Sequence, residues 1–456
     1  MQTNFTTEQL QRTSTQEADR ILRKCVHCGL CTATCPTYVV LGDERDSPRG
    51  RIYAIKDMLE TGSDSRGEVS THIDRCLSCF SCMTTCPSGV DYMHLVEIAR
   101  NHIEKTGRRS FKDRMLRKTL ASLVPYPSRF RWAMKLAPLG RSMAPALRRV
   151  GLSELAAMTE LAPVGRAKRA KFSGPGMAAT KSGRTGRVIL LAGCAQQVLR
   201  PEINDATIRL LARGGVDVVV SSGAGCCGAL SHHIGREDEA IEAAKRNVDA
   251  WSREMAKDDV DAIIINASGC GTTVKDYGHL LAHDLTYAVA ARNVASLAKD
   301  ITEYLSTHDI GAPKRWSSLK VAYHAACSLQ HGQRITHQPK ALLKKSGFSV
   351  LEIAEGHLCC GSAGVYNILQ PTIARELRDR KVGHIKALRP DVVAAGNIGC
   401  ITQLQAALDT PVVHTVELLD WAYGGPAPAV LEGLAQYSTP VPQPEQRRKT
   451  EDYIAS

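Results

Sequence analysis

The segment CVHCGLCTATCP, residues 25–36, returns 51 positions later as CLSCFSCMTTCP, residues 76–87. Both copies have the spacing C-x2-C-x2-C-x3-C followed by proline. A cubane [4Fe–4S] cluster needs four thiolates at the corners of a tetrahedron, and three cysteines at this close spacing wrap one face of the cube. The fourth cysteine, followed by proline, is turned away from that cube. The repeated spacing therefore predicts two neighbouring iron–sulfur clusters.

The fourth cysteine of each motif binds the other cluster in two-cluster ferredoxins. Applied to this chain, the crossed arrangement gives one cluster the ligands Cys25, Cys28, Cys31 and Cys86. It gives the other cluster the ligands Cys76, Cys79, Cys82 and Cys35. Zinc is the alternative metal, but zinc sites use pairs of cysteines and have no use for a third at the same spacing.

Sixteen cysteines in 456 residues are many, and their distribution limits what they can be. The polar residues 1–20 lack the apolar core of a signal peptide, and no run approaches the ~18 apolar residues that span a bilayer. A cytoplasmic location is therefore expected, where thiols stay reduced and disulfides are disfavoured. All sixteen cysteines fall into patterned groups, which disfavours scattered core cysteines. The length suggests about two to four domains.

The stretch between the two motifs has helical periodicity. In SPRGRIYAIKDMLE, residues 47–60, Pro48 precedes apolar residues at helical spacing. This helical two-cluster module resembles the α-helical ferredoxin domain of the iron–sulfur subunits of succinate dehydrogenase and its relatives. Arg49 and Arg51 either tune a cluster or dock a partner, or they lie on a solvated helix N-terminus.

The C-terminal half contains a duplicated unit with a second cysteine pattern. In both copies a CCG triplet begins 32 positions after a single cysteine. Another cysteine follows the second cysteine of the triplet by 43 positions in the first copy and by 40 in the second. The first copy has Cys194, Cys226, Cys227 and Cys270. The second copy has Cys327, Cys359, Cys360 and Cys400.

Strand-like apolar runs precede these cysteine positions, as in RVILLAGC, residues 187–194, and KVAYHAAC, residues 320–327. Helical stretches that end at glycine lie between the runs. This alternation predicts a parallel sheet, whose ligand groups cluster beyond the carboxyl ends of the strands. We expect the four cysteines of each copy to meet there, with buried free cysteines as the alternative.

The repeated pattern resembles the CCG domains of heterodisulfide reductase subunits. In those proteins a complete repeat ends C-x-x-C and holds a noncubane [4Fe–4S] cluster through five cysteines. This chain departs from that ending, with Ala267 in the first copy and Asn397 in the second. For each copy three alternatives therefore stay open: an additional iron–sulfur cluster, another metal, or an empty site.

The complete order resembles the iron–sulfur subunits of glycolate oxidase over about residues 15–425. It is also similar to the corresponding subunits of anaerobic glycerol-3-phosphate dehydrogenase and of L-lactate utilisation. We predict a multidomain α plus α/β fold, in which two α/β domains with parallel sheets follow a helical module. The predicted domains are a two-cluster ferredoxin domain at 1–104, a basic connector at 105–186, and CCG domains at 187–310 and 311–456.

The resemblance also implies the working context of the chain. In that family an FAD-binding flavoprotein subunit oxidises glycolate to glyoxylate, and electrons pass through the iron–sulfur subunit towards a membrane quinone. The chain has no flavin or dinucleotide fingerprint, in keeping with a relay whose substrate chemistry belongs to a partner. The alternatives are the equivalent subunit of a glycerol-3-phosphate or lactate dehydrogenase complex, or a CCG-domain reductase of a small disulfide, which the missing C-x-x-C endings disfavour.

Four histidines accompany the cysteines of the repeats. His324 and His331 flank Cys327, and His232 and His233 follow the first CCG triplet. They are candidate metal ligands or proton donors, with ordinary buried or surface histidines as the alternative.

Positive charge is concentrated in the connector. Residues 105–187 contain twenty Lys and Arg against three acidic residues, a net of +17, whereas the whole chain carries +12. With Phe130 and Trp132 these charges suit an anionic membrane surface, on the cytoplasmic face of the inner membrane, or an acidic partner. A solvated linker is the alternative, and no recognition motif supports nucleic acid. The stretch 168–186 is low in apolar residues and is predicted to be mobile.

Overall fold

Two largely parallel β-sheets, each surrounded by helices, form the C-terminal half of the chain, and helices form the N-terminal half. This computed structural model describes residues 1–62, 67–106, 109–149, 151, 153–160, 174–180 and 183–440, and among them gives all side chains but those of 137–141 and 435–440. The predicted fold class, helical module followed by two α/β domains, is confirmed.

The N-terminal ferredoxin module packs short helices around an aliphatic core. Its helices are α1 (Thr13–Arg23), α2 (Pro36–Leu41), α3 (Pro48–Thr61), α4 (Glu68–Asp74), α5 (Ser81–Thr85) and α6 (Tyr92–Thr106). Helix α3 begins at Pro48 as its periodicity predicts, and the side chain of the N-cap Ser47 accepts a hydrogen bond from the Gly50 N–H. Its fully buried Ile55 and Met58 belong to a core that also contains residues of α1 and α6. This packing fixes the ends of the cysteine loops.

The basic connector is helical where the structure describes it. It forms α7 (Phe111–Leu123), α8 (Pro127–Arg141), α9 (Ala144–Arg149) and α10 (Ser153–Glu160). Arg109 and Arg117 both reach Asp74 of the ferredoxin module, at 2.6 and 2.9 Å, so α7 is tied to that module. The alternative of a plain solvated linker is therefore wrong for α7. Across the described residues, no helix combines the length and hydropathy needed to cross a bilayer.

The first repeat contains a five-stranded sheet. Its strands are β1 (Gly176–Ala178), β2 (Gly186–Leu190), β3 (Val216–Val220), β4 (Ala262–Ile265) and β5 (Ala298–Asp300), in the order β1-β3-β2-β4-β5. Its helices are α11 (Gln196–Leu199), α12 (Glu202–Arg213), α13 (Ala229–His233), α14 (Glu237–Met255), α15 (Ser268–Lys275), α16 (Tyr277–Leu280), α17 (Ala288–Leu297) and α18 (Ile301–Thr307). All strand pairs are parallel except β1 with β3.

Strand β1 lies within the stretch predicted to be mobile. It pairs antiparallel with β3, from Gly176 opposite Val220 to Ala178 opposite Val218. The prediction is wrong for this part, because backbone hydrogen bonds order a segment that has few apolar side chains. Residues 168–173 and 181–182 of the same stretch lie outside the described residues.

The second repeat has the same strand order without the antiparallel edge strand. Its four-stranded parallel sheet contains β7 (Lys320–His324), β8 (Ser349–Glu352), β9 (Val392–Ala395) and β10 (Val412–His414), in the order β10-β9-β7-β8. A separate antiparallel pair joins β6 (Arg315–Ser317) to β11 (Ser438–Pro440). The helices are α19 (Gln338–Lys345), α20 (Tyr366–Leu369), α21 (Pro371–Leu388), α22 (Ile398–Gln405) and α23 (Thr415–Ala422), with a π-helical turn at Ser328–Gly332.

The two repeats share one apolar core. Val188 of β2 and Val321 of β7 belong to the same buried cluster. Helix α12 packs on α23, where the buried carboxylate of Asp420 pairs with Arg209 at 2.6 Å and also with Arg213. The repeats therefore form a single packed body rather than two domains on a tether.

A polar contact joins the ferredoxin module to the first repeat. His94 of α6 lies between Asp91, 2.6 Å from its Nδ1, and Asp276 of the first repeat, 3.1 Å from its Nε2. Burial lowers the pKa of His94, but hydrogen bonds to Asp276 and Asp91 outweigh it and raise the pKa to about 10. The imidazolium therefore bridges the two modules at neutral pH.

We expect Asp420→Ala to destabilise the paired repeats. We expect the free energy of unfolding to fall by about 2 kcal/mol. Breaking a fully buried ion pair costs ~3–5 kcal/mol, and the cost is smaller here because Arg209 and Arg213 are 33% and 28% exposed. Denaturant titration followed by the fluorescence of the buried Trp251 and Trp421 measures it. Asp409→Ala, at an exposed position, is the control. Equal midpoints for the two variants would contradict the assigned role of Asp420.

Candidate metal centres

The first ferredoxin motif surrounds a cavity that opens to the surface. Its lining includes all four cysteines of one predicted ligand set, Cys25, Cys28, Cys31 and Cys86. Cys82, from the other predicted set, also lines this cavity. Cys28 is exposed, as are its neighbours Val26 and Leu30. The loop turns at His27 and Gly29, whose φ angles are 54° and 83°. The structure thus brings together the cysteines that the crossed arrangement groups.

The second motif surrounds a buried cavity. Its lining includes the other predicted set, Cys35, Cys76, Cys79 and Cys82, all of them buried. The loop turns at Ser78 and Phe80, at φ of 49° and 60°, in the positions that correspond to His27 and Gly29. Because a bulky residue rarely adopts positive φ, the common loop geometry prevails over the local preference of Phe80.

The proline after each fourth cysteine has a structural role. Pro36 occupies the first turn of α2, where its missing N–H costs no hydrogen bond. Cys35 is the N-cap residue of this helix, and its side chain lines the second cavity rather than the first. The sequence thus turns away from the first cavity directly after Cys31.

A buried guanidinium compensates charge beside the second cavity. Arg51 is 1% exposed, donates to the His72 carbonyl and pairs with Asp46 at 3.1 Å. Burial alone would raise the pKa of Cys76, but the positive charges of Arg51 and Arg100 outweigh it and lower the pKa. A solvated helix N-terminus is therefore wrong for Arg51.

The donor chemistry of both cavities fits cubane clusters. Each cavity offers four thiols, and the buried one has cationic side chains beside it to balance the negative charge of a thiolate-bound cluster. All sixteen cysteines are free of disulfide bonds.

The second repeat brings its cysteines together at the carboxyl end of β7. The sulfur atoms of Cys327 and Cys359 are 3.7 Å apart, and Cys360 lies within hydrogen-bond reach of Cys359 and Cys400. A ring nitrogen of His324 and the sulfur atoms of Cys360 and Cys400 lie within 4.8 Å of one another. Burial, followed by the charge of Lys381, lowers the pKa of His324 to about 3. The imidazole is therefore neutral.

The first repeat brings its four cysteines together in the same way. Cys226 lies within hydrogen-bond reach of Cys194 and Cys227, and Cys227 within reach of Cys270. Hydrogen bonds with Cys226 and Cys270, followed by burial, raise the pKa of Cys227 well above its usual value. Sequence reasoning therefore grouped the cysteines of both repeats as they lie in the structure.

Two residues that the sequence reasoning missed hold the first CCG loop. The side chain of Asn247 accepts from the Gly225 N–H at 2.8 Å and donates to the Cys226 carbonyl at 3.0 Å. The hydroxyl of Tyr277 donates to the Cys227 carbonyl at 2.8 Å. For Asn247 the sequence did contain a signal, because this polar residue lies on the apolar face of α14, where the other buried residues are alanine, valine and tryptophan.

The glycine of each CCG triplet is required by space as well as by backbone conformation. Gly228 and Gly361 have φ of 88° and 83°. A Cβ on Gly361 would lie 2.3 Å from the carbonyl oxygen of Ala374, and one on Gly228 would lie 3.0 Å from that of Ala240. Only glycine lets the long helix approach the cysteine loop this closely.

Asn397, at the position of the missing cysteine, has a structural function. Its side-chain oxygen accepts from the Gly399 N–H at 2.8 Å and caps α22. Its amide nitrogen donates to the hydroxyl of Ser268 in the first repeat, at 2.9 Å. The side chain is thus engaged at the contact between the repeats.

The remaining candidate histidines lie at contacts with the ferredoxin module. His331 forms hydrogen bonds with Thr84, at 2.8 Å, and with the carbonyl of His357, at 3.1 Å. His232 and His233 face Glu97 of α6, at 3.4 and 4.0 Å. These contacts place the three side chains at the boundary between the modules, and the buried Nδ1 of His233 has no hydrogen-bond partner among the described residues.

The buried ferredoxin cavity adjoins the cysteine site of the second repeat. Cys79 and Cys359 belong to one buried cluster, with Leu77 and Tyr366. The Tyr366 hydroxyl donates to the carbonyl of Arg75 at 2.9 Å. Burial, followed by the charge of Cys327, raises the pKa of Cys79 well above its usual value. The surface cavity, the buried cavity and the second repeat therefore offer three thiol sites in sequence.

Comparison with known proteins agrees with this organisation. Residues 21–90 match the 4Fe-4S dicluster domain family, and residues 188–275 and 321–405 both match the Cysteine-rich domain family. A hypothetical protein from Helicobacter pylori shares the fold, with a TM-score of 0.51 and 11% identity over 94% of this chain and 76% of that one.

Relatives of known description cover the whole domain order. The glycolate oxidase iron-sulfur subunit of Escherichia coli (strain K12) is 40% identical over 92% of this chain and 99% of its own. The probable glycolate oxidase iron-sulfur subunit of Bacillus subtilis (strain 168) is 31% identical over 88% and 94%. Lactate utilization protein A of Shouchella clausii is 26% identical over 49% of this chain and 91% of its own. The domain matches of this chain and its relatives from Escherichia coli and Bacillus subtilis show that it belongs to the family of glycolate oxidase iron–sulfur subunits.

Proposed function

We propose that the chain relays electrons within a glycolate-oxidising complex. An FAD-binding flavoprotein partner oxidises glycolate to glyoxylate, and a membrane quinone is the final acceptor. The observation that supports the relay most is that Cys79 and Cys359, from the thiol sites of two domains, belong to one buried cluster. Metal centres in adjoining sites suit electron transfer.

The proposed ligands follow the crossed arrangement. When bound, [4Fe–4S] clusters supply one-electron transfer. Arg51 and Arg100 offset the added negative charge near Cys76. We assign the exposed centre to Cys25, Cys28, Cys31 and Cys86. We assign the buried centre to Cys76, Cys79, Cys82 and Cys35.

The exposed cavity is the proposed contact with the flavoprotein. Val26, Leu30 and Tyr53 surround it with apolar surface that is 69%, 54% and 62% exposed. Electrons from a partner docked there reach the buried cavity through the interlocked cysteine loops. The second repeat lies beyond it and is the third site of the relay.

The connector is the proposed contact with an anionic membrane, on the cytoplasmic face of the inner membrane. Trp132 and Leu136 of α8 are 66% and 54% exposed, beside the bases Arg129, Arg131 and Lys135. The guanidinium of Arg129 lies 4.3 Å from the centre of the Tyr126 ring. Apolar side chains among cations suit the headgroup region of a bilayer.

A lactate-linked complex is the second candidate, because proteins described as Lactate utilization protein A match about half of this chain. A glycerol-3-phosphate complex is a further alternative, on the ground of the similar domain order of its corresponding subunit. Reduction of a small disulfide is less well supported, since Asn397 is engaged in capping α22.

The substrate can be tested on the complex purified anaerobically with its flavoprotein subunits. We expect glycolate to reduce the iron–sulfur centres, seen by electron paramagnetic resonance, while L-lactate and glycerol-3-phosphate leave them oxidised. The separate chain, without flavoprotein, is the control and stays oxidised with all three substrates. Reduction by L-lactate but not by glycolate would favour the second candidate.

The crossed ligation predicts which serine variants share a defect. Cys35→Ser should lose the same resonance signal as Cys79→Ser, and Cys86→Ser the same signal as Cys28→Ser. The physical reason is that Cys35 and Cys86 line the cavity of the other motif. Iron analysis and resonance spectra of the four anaerobic variants measure this. A Cys35→Ser spectrum that matches Cys28→Ser would refute the crossed sets.

Neutralising three bases of α8 should weaken membrane binding. Each basic residue near an anionic surface contributes ~1 kcal/mol, so changing Arg129, Arg131 and Lys135 to glutamine should lower vesicle affinity roughly a hundredfold. Sedimentation with phosphatidylglycerol vesicles measures it, and added salt should weaken the wild-type binding. The control changes the exposed Lys344, Lys345 and Lys386 to glutamine, which removes the same charge elsewhere. Equal binding by both triple variants would exclude α8 as the contact.

A further inference from the structure

The two repeats have different residues at a position beside their first cysteines. Three residues before the first cysteine, the first repeat has Leu191 and the second has His324. Leu191 is buried in an apolar cluster that also contains Cys227. His324 ends β7 and is 2% exposed. The same backbone position therefore presents a hydrocarbon to one site and an imidazole to the other.

One ring nitrogen of His324 lacks an ordinary hydrogen-bond partner. Its Nε2 is buried and makes no hydrogen bond with any residue that the structure describes. Leaving a buried polar atom unpaired destabilises the folded chain. A ring nitrogen of this side chain instead lies within 4.8 Å of the sulfur atoms of Cys360 and Cys400. One nitrogen and two sulfurs that converge on a common point are a set of metal donors.

We propose that His324 is a ligand of an iron–sulfur centre in the second repeat. The centre also takes the thiolates of Cys327, Cys359, Cys360 and Cys400. The inference deepens the proposed relay and rests on it for the role of the centre. Among the described residues, the corresponding site of the first repeat has thiol donors alone, so the two sites are chemically different.

The number and position of the donors favour an iron–sulfur centre over zinc. Four thiols and one imidazole exceed the four ligands of a structural zinc ion. The site also adjoins the buried ferredoxin cavity through Cys79 and Cys359, where a metal that changes its oxidation state extends the relay. Lys381, 2% exposed, lies near the same thiols and offsets the negative charge that they gain on binding metal.

Imidazole ligation has a measurable consequence for the centre. A neutral imidazole contributes less negative charge than a thiolate, and histidine ligands raise the reduction potential of iron–sulfur centres. Replacing His324 by cysteine should therefore lower the midpoint potential of this centre. The two cubane centres of the ferredoxin module should keep theirs, because their ligands are unchanged.

The test uses the full chain, purified anaerobically, with and without ¹⁵N-labelled histidine. We expect the protein to hold more iron than two cubanes, which contain about eight atoms. We also expect pulsed electron paramagnetic resonance of the reduced protein to detect a directly bound histidine nitrogen. His324→Leu should abolish that nitrogen coupling, and His324→Cys should abolish it while keeping the iron. His331→Asn is the matched control and should retain the coupling, since His331 is engaged by Thr84.

Three results would overturn the proposal. They are a wild-type spectrum without histidine coupling, a coupling that persists in His324→Cys, and zinc in place of iron in the second repeat. None of these readouts involves glycolate or the flavoprotein. A failure of His324 to bind iron is therefore distinguishable from a failure of the proposed function, which the substrate experiment reports.

Discussion

Thiolates gathered in a buried cavity repel one another, and the rest of the structure depends on meeting that constraint. Burial raises the pKa of Cys79 and Cys82 well above the usual value, so these thiols keep their protons until a cation replaces them. Arg51 and Arg100 supply fixed positive charge next to Cys76. The helices of the ferredoxin module hold both the thiols and the compensating cations in place.

Local pattern was sufficient for much of this arrangement. The C-x2-C-x2-C-x3-C-P spacing identified two sets of four cysteines, and apolar periodicity placed the start of α3 at Pro48. Short-range spacing succeeds here because the first three cysteines of each motif line one cavity. The matched distances within the repeats likewise predicted parallel sheets with the cysteines at one end.

Features that depend on residues distant in the chain could not be predicted from the sequence pattern. Strands β5 and β10 have three residues each, too few to show a period, and exist because β4 and β9 lie beside them. The burial of Arg51 follows from Asp46 and the His72 carbonyl, neither of which its own helix reveals. In the sequence Asn397 stands where a fifth cysteine ligand is missing, and its hydrogen bond to Ser268 of the other repeat cannot be read from that pattern.

The docking of the ferredoxin module on the second repeat also orders events during biogenesis. Cys359, Cys360 and Cys400 are buried, and Cys359 is covered by the cluster that Leu77 and Cys79 complete. A site closed by a neighbouring module cannot be reached by a scaffold protein that delivers iron and sulfide. The proposed centre of the second repeat would therefore be assembled before the two modules close, and closure would then limit the access of oxygen and chelators.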